Sequence, residues 1–435
     1  MSEKIGIIAD DLTGSNDSGV QLAKKGFAST VVMDVQKKSA SGEADVLVID
    51  TDSRAVPGEQ AYEAVSKAAS LLFNQGYPHV YKKVDSTLRG NIASELAALV
   101  EVYRPDAVAV APAFPKLNRT TLNGHHYVNG KLITETEFGR DPKTPVTESF
   151  IPALLKEAVQ EEIVLLDAAV LRGSLEDVIA FIEEKVAAGQ KWFVCDAETE
   201  SDLERIASAF AGTGKSVVWA GSGGLVEYLP EALDIQPDDK REDDKIVIDK
   251  TLIVSGSLSQ VTKNQLDRLK DFREVQFIEI NPVDLVNNTL DYASLIVQGK
   301  ENKSAKQLVV YVESSDENRI AASAAGKTLG MDANEVSEAI ASGLGRAATA
   351  ILKEETEING LILTGGDTAK AVCSELGVCE MSLHSEVEPG LPFGQIASGN
   401  RAYWAVTKAG GFGTENSLVH AVKYMTGKVE QYESK

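Results

Sequence analysis

Short apolar runs alternate with stretches of helical periodicity from the first residues onward. IGIIAD leads into the amphipathic SNDSGVQLAKKG. STVVMDV and ADVLVIDTDSR lead into the helical GEQAYEAVSKAASLLFNQG, HVYKKVDST into NIASELAALVEVY, and DAVAVAPAF reads as a buried strand. This βαβα rhythm predicts a parallel sheet with right-handed crossovers, covered by helices. Residues 112–147 break the rhythm with Pro, Asn, Gly and His, a stretch too long for a plain connection, and predict a functional flap or hairpin. EIVLLDAAVL, KWFVCDAET and KSVVWAGSGGL resume the strand pattern.

Residues 233–250 are polar and dense in charge, the best linker in the chain. A second block follows: TLIVSGS, a helix from about Thr262, VQFIEI, KQLVVYVES, a long helix over residues 333–355, GLILTGGD and a glycine-rich close. The pattern predicts an α/β protein of two domains, each a largely parallel sheet covered by helices. Its boundaries fall at 1–235 for the first domain, 236–250 for a linker, 251–425 for the second domain and 426–435 for a tail. No short internal repeat stands out.

Length agrees, since 435 residues exceed what one compact core holds. A net charge of −22 argues against nucleic acid and anionic membrane surfaces as partners. Any anionic ligand must then be met by a few local cations and helix N-termini. Three cysteines without a C-x-x-C pair fit neither a disulfide framework nor a zinc site, and suit a reducing compartment. The chain enters a strand directly, without a signal-peptide core, and no apolar run approaches the ~20 residues of a membrane span. A cytoplasmic protein is expected, and the sequence leaves homo-oligomerisation open.

The candidate chemistry gathers at strand ends, where open α/β sheets bind ligands. Asp10 and Asp11 close the first strand; either can take a proton from a hydroxyl or hold a metal ion, against the plainer role of helix cap. In the run YKKVDSTLRGN, Lys82 and Val84 point to one face while Lys83 and Asp85 point to the other. Ser86, Thr87 and Arg89 occupy the turn beyond. Cations and hydroxyls there suit a carboxylate or phosphate. Arg54 sits at the same sheet end and offers a fork for a carboxylate. In the irregular segment, Asn118, Arg119, Thr120, His125 and His126 offer polar contacts from a flap, but no third metal ligand at suitable spacing. AGTGKS, residues 211–216, precedes a strand instead of following one and is no phosphate loop.

The second block is built for phosphates. VSGSLSQVT places Ser255, Gly256, Ser257 and Ser259 between a strand and a helix. TGGDT repeats the design with Gly365, Gly366, Asp367 and Thr368, and KAGGFGTEN adds Gly411 in a third glycine turn. Asp367 can reach a Mg²⁺ or a ribose hydroxyl, with helix capping as the structural alternative for its neighbour Thr368.

Taken together, IADDLTGSND, DTDSR, KKVDSTLRGN, APAFPKLNRTTLNGHHYVNG, GSGGL, VSGSLS, LTGGDT, EVEPGLPFGQ and KAGGFG resemble the four-carbon acid sugar kinase family over nearly the whole chain. The resemblance implies an acid-sugar domain followed by an ATP domain with a cleft between them. It implies transfer of the γ-phosphoryl group of ATP, with Mg²⁺, to the 4-hydroxyl of threonate, erythronate or 3-oxo-tetronate. It places Asp11 or Asp10, Arg54 and residues 82–85 (Lys82, Lys83, Val84, Asp85) at the acid; Ser86 in the turn beyond is a further candidate contact, and Asp11, Asp10 and Asp85 are the candidate catalytic acids. Ser257, residues 365–368 and Gly411 fall to ATP, with Ser255 a further candidate from its place in the VSGS turn; the metal ligands are left unassigned. The alternatives are a kinase of another small hydroxy acid and a nicotinamide-dependent dehydrogenase. The latter wants G-x-G-x-x-G where ADDLTG stands.

Overall fold

A computed structural model describes residues 3–34, 44–141, 144–238, 246–302 and 304–427. Residues 239–245 of the expected linker and 428–435 of the expected tail lie outside the described residues. The chain divides into two compact units, Met1–Arg241 and Glu242–Lys435.

The strands of the first unit are β1 (Ile5–Ala9), β2 (Ser29–Val32), β3 (Val46–Asp50), β4 (His79–Lys83), β5 (Ala107–Ala111), β6 (Arg119–Leu122), β7 (His125–Val128), β8 (Lys131–Leu132), β9 (Ile163–Leu166), β10 (Trp192–Cys195) and β11 (Val217–Gly221). Eight of them form a parallel sheet in the order β2-β3-β1-β4-β11-β5-β10-β9. Every residue of β1, β3 and β5 is buried, as strands covered by helices on both faces must be. Each such Ile or Val contributes roughly 1.5–3 kcal/mol by leaving water. The chain leaves β1 toward β2 and β3, then crosses to β4 on the other side, so β1 and β4 flank the switch point where connections diverge. In register, Asp50, Ala9, Lys83, Gly221 and Ala111 form one row at the carboxyl edge.

The segment that broke the sequence rhythm is a separate three-stranded antiparallel sheet, β6-β7-β8. Two-residue Asn-Gly loops join its strands, with φ of 50° and 73° at Asn123 and Gly124, and 51° and 76° at Asn129 and Gly130. Positive φ at both positions is what the tight hairpin turn requires. AGTGKS covers the end of the helix Glu200–Gly212 and the turn into β11, at the amino ends of the strands and not at the carboxyl edge.

The second unit contains β12 (Lys250–Ser255), β13 (Val275–Glu279), β14 (Gln307–Tyr311), β15 (Ile358–Thr364), β16 (Glu380–Glu386), β17 (Pro392–Ser398) and β18 (Arg401–Lys408). Their order is β13-β14-β12-β15-β18-β17-β16; the first five run parallel and the β18-β17-β16 meander is antiparallel. β12 and β15 flank the switch point. Ser255, Thr364 and Lys408 lie side by side in register, so the three glycine-containing turns leave the sheet from one level.

Candidate active site

The two aspartates after β1 are held by one guanidinium. Arg54 Nε donates to Asp10 Oδ2 at 2.7 Å, Nη2 to Asp10 Oδ1 at 2.8 Å, and Nη1 to Asp11 Oδ2 at 2.6 Å. Three of the five guanidinium N–H groups are thereby engaged. Gly90, at φ 96°, lets the next turn pass close by: a Cβ there would come within 3.1 Å of Asp10 Oδ2. Asp11 also caps the helix Leu12–Ala23, its Oδ1 accepting from Gly14 N at 2.8 Å. The candidate acid and the helix cap are thus one residue.

The pair is asymmetric. Burial would raise the Asp10 carboxyl, but Arg54 and the nearby Lys82 and Lys83 outweigh it and hold Asp10 below the usual carboxylate range. Asp11 shares the same arginine, yet burial, reinforced by the charge of Asp10, leaves its carboxyl raised. Two neighbouring acids pushed apart in this way can divide the roles of permanent anion and proton acceptor.

Lys82 and Lys83 leave β4 on opposite faces. Lys82 is fully buried, and its Nζ makes an ion pair with Glu95 Oε2 at 3.0 Å and donates to the Lys83 carbonyl at 2.9 Å. Glu95, on the helix Ile92–Tyr103, also accepts from the Ser53 hydroxyl. The expectation that Lys82 reaches into the site is therefore modified: its ammonium is committed inside the unit, beneath the strand end. Lys83 Nζ donates to the Val84 carbonyl at 3.1 Å and lies beside Gly14, where a Cβ would stand 3.1 Å from it and 2.7 Å from Asp11 Oδ1. Lys83 is thus the lysine at the Asp11 end. The Val84 side chain belongs to the apolar core, which leaves only its peptide for a ligand.

Asp85 accepts from Arg89 Nε at 2.6 Å and Thr87 Oγ1 at 2.5 Å. Burial opposes its charge, but Arg54 and Arg89 prevail and hold the carboxyl well below the usual range. Asp85 is therefore a fixed anion and a poor proton acceptor. The antiparallel sheet braces this turn. Arg119 Nη1 donates to Ser86 Oγ, and buried His126 donates from Nε2 to the Ser86 carbonyl at 2.9 Å while Nδ1 faces Thr121 Oγ1 at 3.2 Å. Burial pushes His126 down to about 4, a neutral imidazole. Arg119 and His126, expected to offer polar flap contacts, both bond Ser86, and the buried Arg119 Nε has no partner among the described residues. Arg54 further lines a cavity of about 300 Å³ with Gly90, Asn91, Ser94, Thr144 and Thr147, with Glu148 and Glu157 at its wall.

In the second unit, Ser255 is buried and its hydroxyl accepts from Thr364 Oγ1 at 2.9 Å, tying the ends of β12 and β15 together. Ser257 Oγ accepts from Ser259 N at 3.2 Å. Gly365 adopts φ 96° and caps the helix Gly366–Glu375 without any side-chain bond. The amides of Gly366, Asp367 and Thr368 in its first turn have no intrahelical acceptor. Thr368 packs its Oγ1 toward Gly256, where a Cβ would come within 2.6 Å. Around Gly411 a Cβ would meet nothing within 4 Å. Among the described residues no group of three or more His, Cys, Asp or Glu could hold a metal ion. Sequence reasoning missed Glu95, Gly90 and Lys408. Glu95 carried a signal, a charge on the apolar stripe with Ile92 and Leu96.

An α/β enzyme with charged groups at one switch point and amide-rich turns at another is the class these units define. A sugar-binding N-terminal domain model matches residues 5–229 and a nucleotide-binding C-terminal domain model matches residues 252–418. The chain is 36% identical to a D-threonate kinase of Salmonella typhimurium over 97% of this chain and 98% of that protein. It is 32% identical to a D-erythronate kinase of Heliobacterium modesticaldum over 97% of both. A 3-oxo-tetronate kinase of Pseudomonas savastanoi shares 27%, again over 97% of both. The fold is shared with a solved Haemophilus influenzae protein at a TM-score of 0.78 and 24% identity, covering 97% of this chain and all of that one. The chain belongs to the four-carbon acid sugar kinase family. That membership sets the dehydrogenase alternative aside. No helix among the described residues is long and apolar enough to cross a membrane.

Proposed function

We propose that this protein transfers the γ-phosphoryl group of ATP to the 4-hydroxyl of a four-carbon sugar acid, with D-threonate the first acceptor to test because of the 36% relative. The observation that carries the reading is the divided aspartate pair on Arg54: Asp10 stays ionised and fixes the guanidinium, while Asp11, with its raised carboxyl, accepts the hydroxyl proton. Arg54 and Lys83 supply the cations for the acid's carboxylate, which a chain of net charge −22 must provide locally. Asp85 and Ser86 shape the turn beside them, and Lys82 and Val84 support it from beneath.

Residues 1–235 are the acid-sugar unit in this reading and residues 251–425 the ATP unit, joined by residues 236–250. Ser255 and Ser257, Gly365, Gly366, Asp367, Thr368 and Gly411 surround the phosphates, chiefly through backbone amides. Phosphoryl transfer asks mainly for positioning and charge neutralisation, which amides and cations provide. A Mg²⁺ bound along with phosphates needs only one or two protein carboxylates, and Asp367, exposed in the first turn of its helix, fits that need. When bound, it would neutralise phosphate charge. Free thiols at Cys195, Cys373 and Cys379 suit a reducing, cytoplasmic setting.

The test is a panel of D- and L-threonate, D- and L-erythronate, 3-oxo-tetronates and five- and six-carbon aldonates with ATP and Mg²⁺. ADP release gives the rate and phosphorus–proton NMR locates the phosphate. A four-carbon acid phosphorylated at C4 with the highest kcat/KM is expected. Preference for a longer acid, or a phosphate on another carbon, overturns the assignment.

A further inference from the structure

Lys408, the last residue of β18, is 2% exposed, and its ammonium is bonded to no carboxylate among the described residues. Instead Nζ donates to Thr262 Oγ1 at 3.2 Å and to the carbonyls of Ala409 at 2.8 Å, Gly410 at 3.3 Å and Phe412 at 3.2 Å. The helix Gln260–Leu269 pulls the same way. Thr262 Oγ1 donates to the Gly410 carbonyl at 2.7 Å, and Gln265 Nε2 donates to the carbonyls of Phe412 at 3.1 Å and Thr414 at 2.7 Å. The carbonyls of residues 409, 410 and 412 thus all turn toward one buried cation.

A trans peptide carries its C=O and N–H on opposite sides. Carbonyls drawn inward at 409, 410 and 412 therefore aim the N–H groups of Gly410, Gly411 and Gly413 outward. Those three amides donate no hydrogen bond among the described residues, while the intervening Phe412 N donates to the Ala409 carbonyl at 3.1 Å. The loop adjoins the other two turns: a Cβ at Gly410 would stand 2.2 Å from Ser257 Oγ, and Gly365 N donates to the Lys408 carbonyl at 2.8 Å. A run of outward amides polarised by a cation behind them is a concavity for an anion.

We infer that Lys408 is a positioning residue for the nucleotide: its ammonium holds the glycine loop with its carbonyls inward, so that the amides of Gly410, Gly411 and Gly413 receive a phosphate. The inference rests on the reading of the second unit as the ATP unit. Lys408 does not touch the phosphate; it acts through the peptides. Burial also pushes its ammonium down to about 8, with Glu388 alone opposing. Glu388 comes from the turn before β17, accepts from the Ser417 hydroxyl and lies 2.9 Å from His420 Nδ1, while the facing helix presents uncharged Thr262 and Gln265. As pH rises through about 8 the loop loses the cation that orders it.

The experiment compares wild type with Lys408→Met by calorimetric titration with ATP–Mg²⁺ and by steady-state kinetics. The variant is expected to lose tenfold or more in nucleotide affinity and to raise KM for ATP alike. KM for the sugar acid should stay within about threefold, and kcat at saturating ATP should fall much less than KM rises. Wild-type affinity weakens from pH 7 to 9, and in Lys408→Met that dependence is flat. Nucleotide affinity within threefold of wild type in a folded variant, or a pH dependence that survives the substitution, overturns the inference. If Lys408→Met does not fold by circular dichroism, Thr262→Val removes one acceptor of the ammonium and one clamp on Gly410. A threefold or larger loss of ATP affinity is expected, and unchanged affinity is decisive against. Calorimetry keeps the two readings apart: a wild type that binds ATP but phosphorylates no tetronate defeats the proposed reaction and leaves this test intact.

Discussion

The two units solve one topological problem with opposite chemistry. β2-β3-β1-β4 and β13-β14-β12-β15 follow the same spatial order, all parallel, with the switch point between first and fourth strand in each. At the first switch point the floor is charge: Asp10, Asp11, Arg54 and Lys83, underlain by the buried Lys82–Glu95 pair. At the second it is backbone: a positive-φ glycine, uncapped helix amides and a loop turned by Lys408. A small hydroxy acid offers one charge and a few hydroxyls, so it must be met by side chains that distinguish donors from acceptors. A polyphosphate spreads charge over many oxygens, and repeated amides meet it without a dedicated side chain for each. The fold sets where a ligand binds, and the turn residues set what it is.

The largest expected break in that comparison is at Asp11. Asp11→Asn keeps the size and cannot accept a proton, so kcat should fall by about 10²–10⁴ while ATP affinity stays within threefold. The sign of the pH effect follows from the raised carboxyl. The competent form is the anion, so kcat/KM falls as pH drops through a value above the ordinary ~3.9 of Asp. Asp10, held low, remains ionised over that same range. A variant that turns over within a few-fold of wild type, or that keeps the acid limb, would falsify the role of Asp11.

Removing the support beneath the charged floor should act on stability. Lys82→Met strands Glu95, 2% exposed at its side chain, without its cation at a cost of about 3–5 kcal/mol. Joint replacement of both by apolar residues should recover most of that loss. Urea unfolding of the two singles and the double measures it. A single-variant loss under about 1 kcal/mol would mean the pair is not buried in solution.

How far this contrast could be read from sequence differs between its halves. The parallel strands were legible because burial on both faces demands apolar runs such as VLVID and AVAVA. The β16-β17-β18 meander was not, since EMSLHSE and PFGQIAS mix polar and apolar positions around two glycine turns. The shared strand order was invisible, because topology repeats here without sequence repeating. Asp10, Asp11 and Arg54 stood out by position at strand ends, and the alternation of β4 put Lys82 and Lys83 on opposite faces. Which face held the ion pair depended on how the helix Ile92–Tyr103, which follows β4 and carries Glu95, packs back on the sheet, and the alternation within β4 does not encode that. Lys408 was overlooked for a different reason. Its glycine neighbours drew attention as phosphate ligands, whereas its own role depends on carbonyl directions that no residue spacing encodes.

On the backbone-built side, Gly365 should be the most sensitive position. At φ 96° a β-branched side chain is strained by roughly 1–3 kcal/mol, and relaxing the strain moves the first turn of the helix Gly366–Glu375. Gly365→Val should weaken ATP–Mg²⁺ binding by about ten- to a hundredfold with the KM for acid held. Unchanged calorimetric affinity would remove this turn from the nucleotide site.

The finest test separates two adjacent glycines. At Gly410 a Cβ would fall 2.2 Å from Ser257 Oγ, a contact that forces either the serine or the loop to shift. At Gly411 a Cβ meets nothing within 4 Å, and φ lies outside the positive range. If the loop binds phosphate through N–H groups, Gly411→Ala leaves the donor in place and should change ATP affinity less than about threefold. Gly410→Ala disturbs the junction with the Ser257 turn and should cost several-fold more. Parallel titrations decide. Equal and large losses would mean that the phosphate packs against Cα of Gly411, so that closeness and not the amide is what glycine supplies there. Equal and negligible losses would place the phosphates on the Gly365–Thr368 turn alone, and the amide floor would then be one turn instead of three.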